Sequence, residues 1–144
     1  DGTFYVGHAC TLVRISGRKY LIDSVSTRPL FLESWFFFPD LTLDLSLIGE
    51  VDGVLISHIH DDHYDPKFLE GLKPHTPIYI TDGRLGFSEI LNNPKFNVRK
   101  IPPMELFVLD PGVSVLAIPS DHNKIDSSFI IKGKNFGKQL VKLI

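Results

Sequence analysis

Gly53-Val54-Leu55-Ile56-Ser57 runs straight into His58-Ile59-His60-Asp61-Asp62-His63. The first five residues form a continuous apolar run, the pattern of a strand buried on both faces. Three histidines and two aspartates then crowd into six positions. Packing so many ionisable groups together without a counter-charge is costly, whereas imidazole nitrogen and carboxylate oxygen together suit zinc and other transition metals. On a strand-end loop His58 and His60 can aim at one ion. Asp62 and His63, a turn further on, can reach a second about 3.5–4 Å away. Asp61, between them, is expected to face solvent or cap the loop.

Upstream, Thr3-Phe4-Tyr5-Val6 is short and apolar, and Cys10-Thr11-Leu12-Val13-Arg14-Ile15 alternates as a half-buried strand does. Ser16-Gly17-Arg18-Lys19 reads as a turn and Tyr20-Leu21-Ile22 as the returning strand of a hairpin. Residues 24–40 have no period and hold two prolines and the run Trp35-Phe36-Phe37-Phe38, so a loop is predicted, either a substrate lid or rings capping the core. Asp40–Glu50 fits a short helix with Asp40 as N-cap, although its leucines also alternate as in a strand.

Downstream, Asp65-Pro66 predicts a helix start. Strands are predicted at 78–80, 97–101, 113–118 and 128–131, and a helix over 84–91. A hairpin series followed by strands alternating with helices predicts a layered α/β domain. A site assembled at strand ends needs ligands from further along the chain, and His122 in Ile118-Pro119-Ser120-Asp121-His122 follows a strand as the first cluster does. Asp23, at the end of its strand, is a candidate acceptor orienting a ligand histidine, or a turn cap. His8 is either a pocket residue or a structural histidine. Asp126 either bonds His122, reaches substrate or makes an Asx-turn.

With 144 residues and 43% hydrophobic content, the chain is sized for one domain with a real core. Its net charge of −2 argues against a general nucleic-acid binder, without excluding a small anionic substrate gripped by Arg84 or Arg99. One cysteine, Cys10, allows no intrachain disulfide and points to a reducing, cytoplasmic setting. No apolar stretch approaches the roughly 20 residues of a membrane span. The start at Asp1 is expected of a processed or trimmed chain.

Three features in order, a hairpin ending in Leu21-Ile22-Asp23, then Ser57 to His63, then a later strand ending near a lone histidine, resemble the metallo-β-lactamase-fold superfamily. The resemblance implies a layered αββα sandwich. It also implies that His58, His60 and His122 hold one divalent metal while Asp62 and His63 contribute to a second. Asp62 would further orient the nucleophile or relay a proton. Zinc is the first expectation, with iron or manganese as alternatives. Gly7-His8-Ala9 is similar to the ascorbate-6-phosphate lactonase-like branch. His8-Ala9-Cys10, the segment around Trp35, Ile78-Tyr79-Ile80 and the spacing of His122 and Asp126 are similar to the CMP-N-acetylneuraminate hydroxylase type. The superfamily pattern further calls for a bridging aspartate and a last histidine, yet no Asp, Glu or His follows Asp126. The expectation is a domain over 1–144 that is incomplete at its C-terminus, mainly the fold's N-terminal half, with the second metal weakly held or absent.

Three functions follow. The first is metal-assisted hydrolysis of a small-molecule ester, lactone, amide or phosphoester, using a water whose pKa the metal lowers toward about 7. The second is oxygen chemistry at iron, for which two histidines and a carboxylate suffice as ligands. A Rieske centre needs two cysteines, so electrons would have to come from another chain or domain. The third is a non-catalytic fragment serving as a binding or scaffold module. The expected partner is a small molecule, and a homo-oligomer is left open.

Overall fold

The computed structural model describes residues 1–24, 29, 34–35, 48–121 and 124–134. Strand β1 (Gly2–Gly7), β2 (Cys10–Ile15) and β3 (Arg18–Ile22) form an antiparallel meander. β4 (Gly53–Ile56), β5 (Pro77–Thr81) and β6 (Asn97–Ile101) then join in parallel, giving a six-stranded sheet in sequence order. β7 (Leu106–Asp110), β8 (Val113–Pro119) and β9 (Ser127–Gly133) make a second, antiparallel sheet. Helices α1 (Pro66–Glu70) and α2 (Ser88–Asn92) are the βα crossovers that parallel pairing requires.

Because strand side chains alternate between faces, the large sheet feeds two cores. Cys10, Leu12, Leu21, Val54, Ile56, Ile78 and Ile80 pack with Phe68 and Leu69 of α1 and Ile90 of α2. Val13, Ile15, Tyr20, Ile22, Leu55, Tyr79 and Ile101 point the other way, onto Leu109, Val113, Val115, Ala117, Phe129 and Ile131 of the small sheet. The described residues thus form helix, sheet and sheet layers. The Tyr20 hydroxyl donates to Asp110 at 2.5 Å and ties the sheets together beside the Arg18–Asp52 ion pair.

This layering explains where the structure departs from the sequence reading. β2 alternates in sequence, yet only Arg14 is exposed, because both faces are covered. The hairpin turn is tighter than expected: Ser16 (φ 50°) and Gly17 (φ 76°) make it alone and β3 begins at Arg18, as a two-residue primed turn does. The helix expected over 84–91 starts only at Ser88, since Gly83 (φ 74°) and Gly86 (φ 92°) are left-handed. β7 was not anticipated from sequence; as an edge strand it leaves Leu106 and Val108 exposed. The helix expected over 40–50 and most of the aromatic run lie outside the described residues, and Trp35 is 55% exposed. No helix among the described residues is long and apolar enough to cross a membrane.

Candidate metal centre

Parallel strands deliver their C-terminal ends to one edge of the sheet, where ligand sites of α/β folds gather. Here that edge collects Asp23 after β3, the 57–65 loop after β4 and the His8-Ala9 turn between β1 and β2. The β8–β9 connection adds Asp126 from the small sheet, whose Oδ1 lies 3.6 Å from His58 Nδ1.

The loop is stapled to the end of β3. Asp23 takes a left-handed φ of 59°, which Asp tolerates better than most residues, and its carboxylate receives the Ser57 amide N–H at 2.7 Å. Ser24, fully buried, donates its amide N–H to the His63 carbonyl at 2.8 Å, and its hydroxyl accepts the Asp65 N–H. The His63 and Tyr64 amides both return to the His60 carbonyl at 2.9 Å, closing one turn. Asp65 then caps α1 through the amides of Lys67 and Phe68.

Inside this frame the three imidazoles crowd together, His60 edge-on to His58 and His63 tilted against it. The rings of His58 and His63 are 3.9 Å apart and those of His58 and His60 4.6 Å. His58 Nε2 and His60 Nδ1 face each other at 2.9 Å. His63 Nε2 and Asp62 Oδ2 face each other at 3.5 Å. On the far side of the rings, His63 Nδ1 is 2.7 Å from Asp23 Oδ2, and the Ser57 hydroxyl is 3.0 Å from His58 Nδ1.

Two tetrahedral ligands at 2.0–2.1 Å from zinc stand about 3.3 Å apart. The two facing pairs, at 2.9 and 3.5 Å, are within a few tenths of an ångström of that spacing, so their nitrogen and oxygen donors fit a divalent metal. Among the described residues no three such groups converge in coordinating geometry. His122 lies outside the described residues.

Local fields set the two buried histidines in opposite directions. Burial, then the neighbouring His63, push His58 below the ordinary imidazole value. Burial acts the same way on His63, but its hydrogen bond to Asp23 and the charges of Asp23, Asp62 and Asp126 outweigh it and raise its pKa. The His8 pKa is lowered by burial, partly offset by the charge of Asp62.

A cavity of about 270 Å³ opens beside the cluster, lined by Asp23, His58, His63, Ser120, Asp126 and Ser127 among others. A cavity of about 360 Å³ lies among Leu69, Leu72, His75, Ile78 and Phe96, and none of the His58–His63 cluster lines it. Asp61 is half-buried and His75 exposed. Arg84 donates to the Ser120 carbonyl at 3.0 Å, bracing the cavity wall. Sequence reasoning assigned no role to Ser24 or Ser57. Ser57 adjoins the His cluster, which could have flagged it; Ser24 carries no such signal.

The family model described as a Beta-lactamase superfamily domain matches residues 4–139. A candidate Rieske 2Fe–2S iron–sulfur protein from Mycolicibacterium smegmatis is 42% identical over 65 residues, 44% of this chain and 12% of that protein. The cytidine monophosphate-N-acetylneuraminic acid hydroxylase of Danio rerio is 32% identical over 80 residues, 53% of this chain and 14% of that protein. The chain therefore spans about an eighth of the length of these relatives. The crystal structure of a candidate metal-dependent hydrolase from Veillonella parvula superposes with a TM-score of 0.69 at 18% identity, covering 95% of this chain and 59% of that one.

Proposed function

The chain belongs to the family of Beta-lactamase superfamily domains, and from that premise we propose that it is a metal-dependent hydrolase of a small-molecule ester, lactone, amide or phosphoester. One observation carries the reading: two facing donor pairs, His58 with His60 and Asp62 with His63, stand in the loop after the parallel strand β4 at ligand-like spacing. The proposed ligands of one metal are His58, His60 and His122, and those of a second are Asp62 and His63. Zinc is proposed first, iron or manganese next.

A divalent metal there supplies a water acidic enough to ionise near neutral pH and polarises the scissile oxygen. The chain's own residues do the rest. Asp23 holds the His63 ring by its far nitrogen. Asp62, half-exposed beside His63, orients the nucleophile and carries its proton. Asp126 lines the cavity, whose volume suits a small substrate, and His8 stands on the β1–β2 turn at the same sheet edge. The free, buried thiol of Cys10 fits a reducing, cytoplasmic setting.

Elemental analysis of the purified protein, with hydrolysis assays on a lactone, an ester and a phosphodiester, tests this proposal. Wild type is expected to hold metal and the His58→Ala/His60→Ala variant to lose it. Unchanged metal content in that variant would sink the ligand assignment.

A second reading, oxygen chemistry at iron, is favoured by the 32% identity to the Danio rerio hydroxylase. The chain has a single cysteine, too few for a Rieske centre, so its electrons would come from elsewhere. Iron in the purified protein with reductant-driven oxygen consumption supports this reading; tightly bound zinc rejects it.

A further inference from the structure

The Ser57 hydroxyl occupies the junction of the site. It lies 2.9 Å from Asp23 Oδ2, 3.0 Å from His58 Nδ1 and 3.2 Å from His63 Nδ1. A hydroxyl has one hydrogen to give and lone pairs to receive, whereas an ionised carboxylate only accepts. If Ser57 gave its hydrogen to His58, its oxygen and Asp23 Oδ2 would face each other at 2.9 Å with no hydrogen between them. Asp23 is 4% exposed, and such a clash of lone pairs in a desolvated place is costly. The hydrogen therefore goes to Asp23.

Toward His58 the Ser57 oxygen can then only accept, so His58 must carry its hydrogen on Nδ1. Asp126 Oδ1, 3.6 Å from the same nitrogen, favours the same arrangement. His63 Nδ1 faces Asp23 Oδ2 at 2.7 Å and must likewise donate. Both rings are left with a bare Nε2, one facing His60 Nδ1 and the other Asp62 Oδ2. In this state His60 donates Nδ1–H to His58, and that proton leaves when the pair binds a metal.

We infer that Ser57 is a positioning residue which, oriented by Asp23, fixes the ring tautomer of His58 and, through the shared carboxylate, matches it to that of His63. One serine–aspartate unit thereby readies one histidine of each donor pair. The use of the bare nitrogens as metal ligands rests on the function proposed above; the tautomers themselves do not.

Ring nitrogen NMR of the chelator-treated chain at mildly alkaline pH reads the tautomers directly. Wild type is expected to show Nδ1–H at His58 and at His63. Ser57→Ala is expected to release His58 into a mixture while His63, held by Asp23, stays fixed; Ser57→Thr, which keeps the hydroxyl, restores His58. In a cobalt(II) titration Ser57→Ala is expected to bind about 10–100-fold more weakly, the usual cost of losing an outer partner of a ligand, and Ser57→Thr to bind as wild type does. Nε2–H at His58 in wild type overturns the inference without any variant, even if Ser57→Ala fails to fold. An unchanged His58 tautomer in folded Ser57→Ala overturns it too. Wild type with the expected tautomers and no cobalt uptake upholds Ser57 and rejects the metal-dependent function.

Discussion

Asp23 holds a left-handed backbone, φ 59°, at a cost of about 1 kcal/mol, and that turn aims its carboxylate back at Ser57 and His63. Asn fits the same backbone but replaces one oxygen with a donor. Asp23→Asn is therefore expected to keep the fold and weaken metal binding about 10–100-fold, read by metal titration beside a thermal melt. Cys10 is the opposite kind of residue: fully buried in β2, with burial and then the Asp23 charge pushing its thiol up to about 12. Near pH 8 only about one part in ten thousand is thiolate, the reactive form. A thiol reagent is thus expected to leave the native protein unlabelled and to react fully once denaturant is added; rapid native labelling would contradict the burial. The histidine cluster was legible in sequence because its donors are neighbours in the chain. Ser24 was not: it acts on residues 39 and 41 positions away, and a lone serine has no period or spacing to betray it.

Elements were legible where one local signal decided them. The Asp65-Pro66 start became α1 as read, with the aspartate accepting from Lys67 and Phe68. Asp65→Ala is expected to cost about 1 kcal/mol, measured by urea denaturation, and to loosen the 57–65 loop, which ends on this cap. β7 escaped because an edge strand of a sheet covered on one face leaves Leu106 and Val108 outside, so its hydrophobic run carries no alternation. α2 was overextended because an apolar period cannot reveal that Gly86 is left-handed and packed against Ile59. β4 was read correctly as a buried strand, and its first residue shows how tightly. A Cβ at Gly53 would come within 2.8 Å of the Tyr79 ring, itself 1% exposed. Gly53→Ala is expected to destabilise by about 1–3 kcal/mol through overpacking, with the loss seen as a lower denaturation midpoint at unchanged slope.

For the whole molecule, the candidate site lies on the seam between layers. Its histidines hang from the large sheet, and Asp126 reaches them from the small one. The sequence could name the cluster but could not show that seam, which exists only once β8 and β9 pack on β2 to β6. A ligand bound to the folded chain alone stabilises it by mass action, about 2.7 kcal/mol at a hundredfold excess over Kd. For a domain of this size that raises Tm by about 8–10 °C. Metal addition is expected to produce such a rise, and a chelator to reverse it, in a scanning calorimeter. Two variants separate this effect from ordinary stability. Leu55→Ala opens a hole in the inter-sheet core and should cost about 2–5 kcal/mol of stability, lowering the starting Tm, while still responding to metal. His58→Ala/His60→Ala removes no core group and should start near the wild-type Tm, yet show no rise on metal addition. A metal response that survives the double variant would place binding elsewhere on the chain, and one that vanishes in Leu55→Ala would mean that the site depends on how well the two sheets pack.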